Sequence, residues 1–519
     1  MSLILSGQPS YFSTLTGRQT ESLAASTAYY NHLTSSLLSH LSYLSLQFFT
    51  GEERDVPIIF MNFKPSGRAE VELAKAGVAA VWAEVSKLAV TSGSINLGQG
   101  FPDFPGHSTA RKAAAEAILN AHHLNQYSPI PGLPSLLDAC SAYYKHRWNH
   151  MYDPNTEVLI TASGTEAIYS IMQALVEEGD EVILFEPYFP WYLPAVRLAG
   201  ATPVVIRLEA PNFAIDAAAV ASKLTDRTKV IIINTPHNPT GHCASYEELE
   251  ALADVLRTRH AEKYRAGETS VGAPVVVSDE VYENIVFSGN QRGHVRFAGL
   301  PGMANRTLTV GSASKLFSLT GWRVGWVLGN DPGLMAAVRA MHAYSIYCAP
   351  APLQAGVAAA FEAETDLLAV QSAAAAVVSS GANDSGNSNG KCFEGVPDLL
   401  ERNNAALSAA LIAFGVAVCP AEGGYFLVAD VSGVTDMDDT AFCRWLIATV
   451  GVACMPMNVF YVDYSHGQES KKCQLVRFCL CKEASVIDAA CAALAKASAT
   501  ELLARELEKE REPGTTTAQ

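Results

Sequence analysis

The chain has 519 residues, and its 36 Lys and Arg residues against 52 Asp and Glu residues give a net charge of −16. This balance argues against nucleic acid and against an anionic membrane as the main partner, because both favour a basic surface. No apolar run approaches the roughly 20 residues that cross a bilayer, and the length predicts more than one folded unit.

The 11 cysteines are scattered, and no two of them have the CxxC spacing of a metal or redox site. Cys479 and Cys481 lie two apart in a strand-like run, so both point to one face. We interpret them as buried thiols rather than half of a metal site. A disulfide scaffold is not expected in a chain this long, which indicates a reducing compartment.

Residues 1–66 differ from the rest, being rich in Ser, Thr, Tyr and Leu and nearly uncharged up to Thr50. We predict a flexible N-terminal extension. A mitochondrial presequence shares this Ser-rich, acid-poor composition but is also rich in arginine, whereas Arg18 is the one basic residue before Thr50. The expected location is therefore the cytoplasm, or the mitochondrion if the extension is a presequence.

Helical patterns then alternate with short apolar runs that predict β-strands, at residues 157–161, 181–185, 230–234, 274–278 and 307–310. Strands that alternate with helices form βαβ units, so we predict an α/β domain with a mostly parallel sheet between helices. Further strands at residues 425–431 and 474–480 predict a smaller α+β domain near the C-terminus.

These patterns suggest a division of the chain into domains. We predict an N-terminal arm with part of the small domain at 67–110, a large domain at 111–348, a small domain at 349–502 and a tail at 503–519. Two stretches have the composition of insertions, the charged segment 257–272 and the low-complexity loop 379–390.

Polar residues follow the predicted strands of the large domain at the point where each strand ends. Asn234 and Asn238 come after one strand, Asp279 and Tyr282 after the next, and Lys315 shortly after a third. Ligands of open parallel sheets bind outside the carboxyl ends of the strands. We therefore expect these side chains to surround one ligand.

Lys315 follows small residues and stands near Arg323, and both desolvation and a neighbouring cation lower the pKa of a lysine. Such an amine forms a Schiff base with an aldehyde cofactor. Asp279 suits a pyridinium nitrogen, although an aspartate in this position also often caps a helix. Tyr282 and Asn238 are candidate ligands of a phenolic oxygen, with a simple Asn-Pro turn as the alternative for Asn238.

A phosphate on this cofactor would need a helix N-terminus and a cation. Ser163, Gly164 and Thr165 follow a strand and open a helical run, a pattern that a capping box would also produce. Ser312 and Arg323 are further phosphate candidates. Arg477 lies in an apolar strand, where it either forms a buried salt bridge or clamps a substrate α-carboxylate.

Several motifs occur in a family-specific order: NLGQGFPDFP at 96–105, NQY at 125–127, EPYF at 186–189, HNPTG at 237–241, SDEVY at 278–282, GSASKLFSLTGWRVGWVLG at 311–329 and VRFCL at 476–480. With them the chain resembles the fold-type I aminotransferases that depend on pyridoxal 5′-phosphate. Within this family it is similar to the kynurenine–oxoglutarate aminotransferase, glutamine transaminase K and cysteine-S-conjugate β-lyase group.

The resemblance implies that Lys315 is the Schiff-base lysine and the general base. It also implies, for each of the other residues named above, the cofactor or substrate role suggested there. It adds Phe189 as the aromatic ring stacked on the cofactor, Gly100 and Trp82 as substrate contacts, and Tyr127 as a residue that reaches the neighbouring subunit's phosphate. A homodimer with shared active sites is thereby implied. The segment Tyr347-Cys348 departs from the family, in which the aromatic residue is more often followed by histidine.

The function that we expect is transfer of an amino group from kynurenine, glutamine, methionine or an aromatic amino acid to a 2-oxo acid. A β-lyase acting on cysteine S-conjugates is the first alternative. The others are a ligand-sensing module without catalysis and a lyase like aminocyclopropane-carboxylate synthase. The presence of Lys315, Asp279, Arg323 and Arg477 together argues against the sensing module.

Overall fold

The computed structural model describes residues 65–67, 69–70, 77–265, 274–290, 293–378, 392–462 and 472–497. Our predictions for the N-terminal extension up to residue 64, for the loop 379–390 and for the tail 503–519 lie outside these ranges. The chain divides into an N-terminal unit, Met1–Lys87, and a larger unit, Leu88–Gln519. Helix α1 is Gly77–Ser92.

The larger unit contains a seven-stranded sheet in the order β2-β8-β7-β6-β5-β3-β4. Its strands are β2 Val158–Thr161, β3 Glu181–Glu186, β4 Thr202–Arg207, β5 Thr228–Asn234, β6 Val275–Asp279, β7 Thr307–Ser312 and β8 Gly325–Leu328. Strand β8 runs antiparallel to its neighbours β2 and β7, and the other pairs are parallel. The mostly parallel sheet is confirmed, with every predicted strand of the large domain present.

Two strands of this sheet, β4 and β8, were not predicted from the sequence. Strand β4 is partly exposed and contains Pro203, and β8 has 4 residues, so neither has the long apolar run that marks β5 or β6.

Helices cover both faces of this sheet. They are α2 Ser108–Asn120, α3 Pro134–Trp148, α4 Gly164–Leu175, α5 Tyr192–Leu198, α6 Ala217–Lys223, α7 Tyr246–Arg265, α8 Ala313–Leu316, α9 Pro332–Ser345 and α10 Ala351–Val378. Val158 and Ile160 of β2 pack in one apolar core, whereas Leu159 packs in the other. This alternation follows from the period of two along a strand and confirms that the sheet lies between two helical layers.

A four-stranded antiparallel sheet, in the order β12-β13-β10-β9, lies near the C-terminus. The remaining strands and helices are β1 Ile95–Asn96, β9 Ala417–Val418, β10 Phe426–Asp430, β11 Val452–Ala453, β12 Met455–Pro456, β13 Leu475–Cys479, α11 Val396–Phe414, α12 Asp439–Thr449 and α13 Ala484–Ala495. The predicted strands β10 and β13 are therefore present. The proposed domain boundaries remain a prediction.

The fold aligns the ends of β5, β6 and β7 at one edge of the large sheet. Asn234 is the register partner of Asp279, and Asp279 is the partner of Val310 in β7. Among the helices of the described ranges, none has the length and apolar character that a membrane crossing requires.

Candidate active site

Lys315 lies in the short helix α8 that begins directly after β7. Its Nζ donates to the carbonyl oxygen of Gly100 at 3.1 Å and lies 4.9 Å from the centre of the Tyr425 ring. Burial lowers the pKa of Lys315; nearby Cys481 opposes this effect, and the positive charge of Arg477 adds to it. The amine is therefore easier to deprotonate than an exposed lysine, as a nucleophile and base requires.

Asp279 is the last residue of β6 and is buried. The Tyr192 hydroxyl donates to Asp279 Oδ2, and the Val281 N–H donates to Oδ1 at 3.4 Å. Burial raises the pKa of Asp279 to about 6, while the hydrogen bond from Tyr192 acts in the opposite direction. Residues 281–284 form turns, so Asp279 does not cap a helix.

Arg477 of β13 is fully buried between two aromatic rings. Its Cζ lies 3.9 Å from the centre of the Phe426 ring and 4.7 Å from that of Phe460. Nη1 donates to Asn238 Oδ1 at 3.0 Å, and Nη2 donates to the Gly98 carbonyl at 2.9 Å. Burial lowers the pKa of Arg477 to about 10, so the guanidinium stays charged at neutral pH.

Tyr282 lies beside the lysine, with its ring centre 5.6 Å from Lys315 Nζ and 5.1 Å from the Tyr425 ring. Burial raises the pKa of the Tyr282 hydroxyl well above its usual value, so it keeps its proton and can donate a hydrogen bond. Tyr282, Asn238 and Lys315 each have a hydrogen-bond donor, as an anionic oxygen on a bound ring would need.

The predicted phosphate residues lie where β2 ends and α4 begins. Ser163 has a φ of 91°, and its side chain makes no capping hydrogen bond, so the capping box that we considered is not formed. Gly164 and Thr165 open the first turn of α4, whose N–H groups have no partner within a helix. A Cβ on Gly325 of β8 would lie 2.6 Å from the Ser163 carbonyl carbon, so glycine is required for this close packing.

Ser312 and Arg323 lie at the same edge. Ser312 pairs with Gly325 and accepts a hydrogen bond from the Ser314 N–H at 3.2 Å. Arg323 is exposed, and its Nη1 donates to the Thr320 carbonyl at 3.1 Å. Both residues adjoin the start of α4 through the β8 pairing, as an anion site would need.

Phe189 follows β3, and its ring stacks on Trp191 at 5.1 Å and meets the edge of the Tyr192 ring at 5.6 Å. Through Tyr192 it adjoins Asp279. Gly100 lies so close to β10 that a Cβ would stand 2.3 Å from Phe426 Cζ.

The contacts described above do not test two of the predicted residues. Tyr127 is 84% exposed and contacts the Tyr347 ring at 5.3 Å. Trp82 belongs to the N-terminal unit. Their suggested roles, toward a neighbouring subunit and toward the substrate, remain predictions.

Several residues that complete the site were not predicted from the sequence. The Tyr192 hydroxyl donates a hydrogen bond to Asp279, and the Tyr425 hydroxyl donates one to the Lys315 carbonyl at 3.1 Å. The rings of Phe426 and Phe460 enclose the Arg477 guanidinium. The dense aromatic run from Tyr188 to Tyr192 directly after a strand was the one available signal for Tyr192.

The site fits the expected cofactor. Asp279 is a buried carboxylate that forms no salt bridge within the part of the chain that the structure describes, so a protonated ring nitrogen would compensate its charge. The uncapped start of α4 would accept the phosphate.

Comparisons with known proteins agree with this geometry. Residues 92–494 match the family described as aminotransferase class I and II. The probable N-succinyldiaminopimelate aminotransferase DapC of Mycobacterium tuberculosis is 39% identical over 416 residues, covering 79% of this chain and 94% of the relative. The kynurenine–oxoglutarate transaminase 1 of Homo sapiens is 34% identical over 430 residues, covering 79% and 93%. The solved structure of YbdL from Escherichia coli, reported with a methionine aminotransferase function, has a TM-score of 0.68 at 31% identity and covers 80% of this chain and 96% of that one.

Proposed function

Because this chain belongs to the class I and II aminotransferases, which use pyridoxal 5′-phosphate, we propose that it moves an amino group from kynurenine, glutamine, methionine or an aromatic amino acid to a 2-oxo acid. One observation carries this proposal: Lys315, Asp279 and Arg477 surround a single edge of the sheet, as an amine, a carboxylate and a guanidinium.

Each part of the cofactor has candidate residues in this site. Asp279 would hold the ring nitrogen, Phe189 the ring face, and Asn238 with Tyr282 the phenolic oxygen. The phosphate would bind to Ser163, Gly164, Thr165, Ser312 and Arg323. When bound, the cofactor withdraws electrons from the substrate's α-carbon.

The protein supplies the proton transfer and the binding of the substrate. Lys315 Nζ, with its lowered pKa, would take the proton from the α-carbon of the amino donor and, in the half-reaction with the 2-oxo acid, would deliver a proton to the α-carbon of the new amino acid. The Arg477 guanidinium binds the α-carboxylate that amino and oxo acids share, beside Asn238 and Gly98. Because donor and acceptor carry the same carboxylate, one arginine serves both halves of the reaction.

A substrate panel tests the proposed donors. Purified protein with pyridoxal phosphate should convert at least one of the four donor classes in the presence of a 2-oxo acid. N-succinyldiaminopimelate belongs in the panel as a second candidate because of the 39% identity to DapC. Release of ammonia and pyruvate from a cysteine S-conjugate would instead indicate the β-lyase reaction. No turnover of any donor would contradict the proposal.

Arg477→Ala should lower kcat/KM for every α-carboxylate substrate by roughly 100-fold, since a hydrogen bond to a charged group contributes up to about 3 kcal/mol. Arg477→Lys keeps the charge but loses the forked geometry, so its loss should be intermediate. Steady-state kinetics with two donors and two acceptors measure this. An effect confined to one substrate would speak against a general carboxylate clamp.

Tyr192→Phe should shift the acid limb of the kcat profile to higher pH. The Tyr192 hydroxyl stabilises the ionised form of Asp279, so removing it raises the pKa of Asp279 further above its ordinary value. Ionised Asp279 is then lost at a higher pH, and the variant should lose more activity at pH 6 than at pH 9. Tyr188→Phe, a buried tyrosine nearby, is the matched control and should keep the parent profile. Equal losses at both pH values would refute this coupling.

A homodimer with shared active sites is part of this proposal. Tyr127, at 84% exposed, and Tyr344, at 91% exposed, are aromatic side chains on the surface of the described structure, and such side chains are typical of interfaces. The molecular mass in solution measures the oligomeric state.

A further inference from the structure

Residues 98–103, which we call the glycine segment, lie between β1 and α2. Three cationic side chains donate hydrogen bonds to its carbonyl groups. The Gly98 carbonyl accepts from Arg477 at 2.9 Å, and the Gly100 carbonyl accepts from Lys315 at 3.1 Å. The Phe101 carbonyl accepts from Lys482 Nζ at 2.7 Å. The segment is therefore positioned largely by charged donors.

The first two of these donors have a second task. Under the proposed function, on which this inference rests, Lys315 handles a proton and Arg477 binds a carboxylate. Both side chains therefore serve the reaction as well, and neither is dedicated to holding the glycine segment. Lys482 has no task of that kind, and the adjacent Glu483 N–H adds a contact to Asp103 Oδ1 at 2.6 Å.

Lys482 is an unusual buried cation. Its residue is 3% exposed, and its ammonium lies 4.1 Å from the centre of the Phe101 ring. Within the described ranges Lys482 forms no salt bridge with a carboxylate. Its positive charge is stabilised instead by the Phe101 carbonyl oxygen and by the face of the Phe101 ring. Burying an ammonium group without a carboxylate partner costs free energy. We therefore ask what Lys482 contributes to the function of the site.

The glycine segment has little room to move. A Cβ on Gly100 would stand 2.3 Å from Phe426 Cζ, and Phe426 in turn lies against the Arg477 guanidinium at 3.9 Å. A shift of the Phe101 carbonyl would therefore be passed to Gly100 and to the carboxylate site. Displacements of about 1 Å at such sites can lower rates by roughly 100-fold.

We propose that Lys482 is a positioning residue that anchors the glycine segment, so that Gly98 stays beside Arg477 and Gly100 stays beside Lys315 while a substrate carboxylate binds. Lys482 touches neither substrate nor cofactor in this scheme. It acts through the main chain of residues 98–103.

Lys482→Met, which keeps the length of the side chain without its charge, tests this proposal in the cofactor-loaded enzyme. The KM for an L-amino acid should rise about 10- to 100-fold, and kcat should change by a smaller factor. Lys482→Arg should restore most of the loss. The half-reaction with phenethylamine, an amine without an α-carboxylate, should lose a clearly smaller factor in Lys482→Met than the half-reaction with the L-amino acid, because only the amino acid uses the carboxylate site.

Hydrogen–deuterium exchange gives a readout that is independent of turnover. Exchange in residues 98–103 should rise in Lys482→Met and return toward the parent value in Lys482→Arg, with β10 unchanged. If Lys482→Met does not fold, Phe101→Leu serves instead, because that ring is 40% exposed. It should raise the same KM by a smaller factor.

An unchanged KM with unchanged exchange overturns the anchoring role, as do equal losses with the amino acid and with phenethylamine. If the parent protein reacts with no amino acid, the proposed function fails. The exchange measurement still decides whether Lys482 holds the glycine segment.

Discussion

Lys315→Ala is expected to lower kcat by about 10⁴-fold or more, the upper end of what a general base contributes. The variant loses both the amine that would attach the cofactor and the base that moves the α-proton. Borohydride reduction followed by peptide mass spectrometry should find the cofactor on the Lys315 peptide of the parent protein and none on that of the variant. Stopped-flow absorbance then measures the loss of the half-reaction.

Lys315→Arg is the informative companion variant. It keeps a positive charge near Tyr282 and Tyr425 but offers no amine that reacts with an aldehyde. We expect it to fold and to remain as inactive as the alanine variant. Normal transamination by either variant would show that another residue is the base.

Asp279→Asn should lower kcat by roughly 10³-fold while the protein still binds cofactor. The replacement is nearly isosteric, so it removes the charge beside the ring nitrogen without opening a cavity. Losing one preorganised charged contact at a reacting centre typically lowers kcat by about 10²- to 10³-fold. The measurements are kcat in the steady state and the dissociation constant of the cofactor by fluorescence titration.

Asp439→Asn is the matched control for this variant. Asp439 is also a buried aspartate, and burial likewise raises its pKa to about 6. It lies at the start of α12, where it accepts a hydrogen bond from the Asn458 N–H at 2.6 Å. We expect parent kcat in this control. Equal losses in both variants would attribute the effect to general destabilisation and contradict the role of Asp279.

The central sheet, and the gathering of polar residues at one of its edges, could be predicted from the sequence. Apolar runs such as residues 230–234 and 274–278 predicted strands, and those strands are present as β5 and β6. In a parallel sheet the ends of neighbouring strands must meet at one edge. Asn234 and Asp279, each at the end of its strand, were therefore expected at this edge, and the structure shows them as register partners.

Contacts between distant parts of the chain could not be predicted from the sequence, because they depend on how the elements pack. Arg477 meets Asn238 across 239 residues, and Lys482 meets Phe101 across 381 residues. Strand periodicity reports which face a side chain occupies, but it does not report which other element packs on that face. Three features of the site depend on that packing, so local sequence patterns did not predict them. They are the hydrogen bond from Tyr192 to Asp279, the aromatic rings around Arg477 and the contacts that anchor the glycine segment.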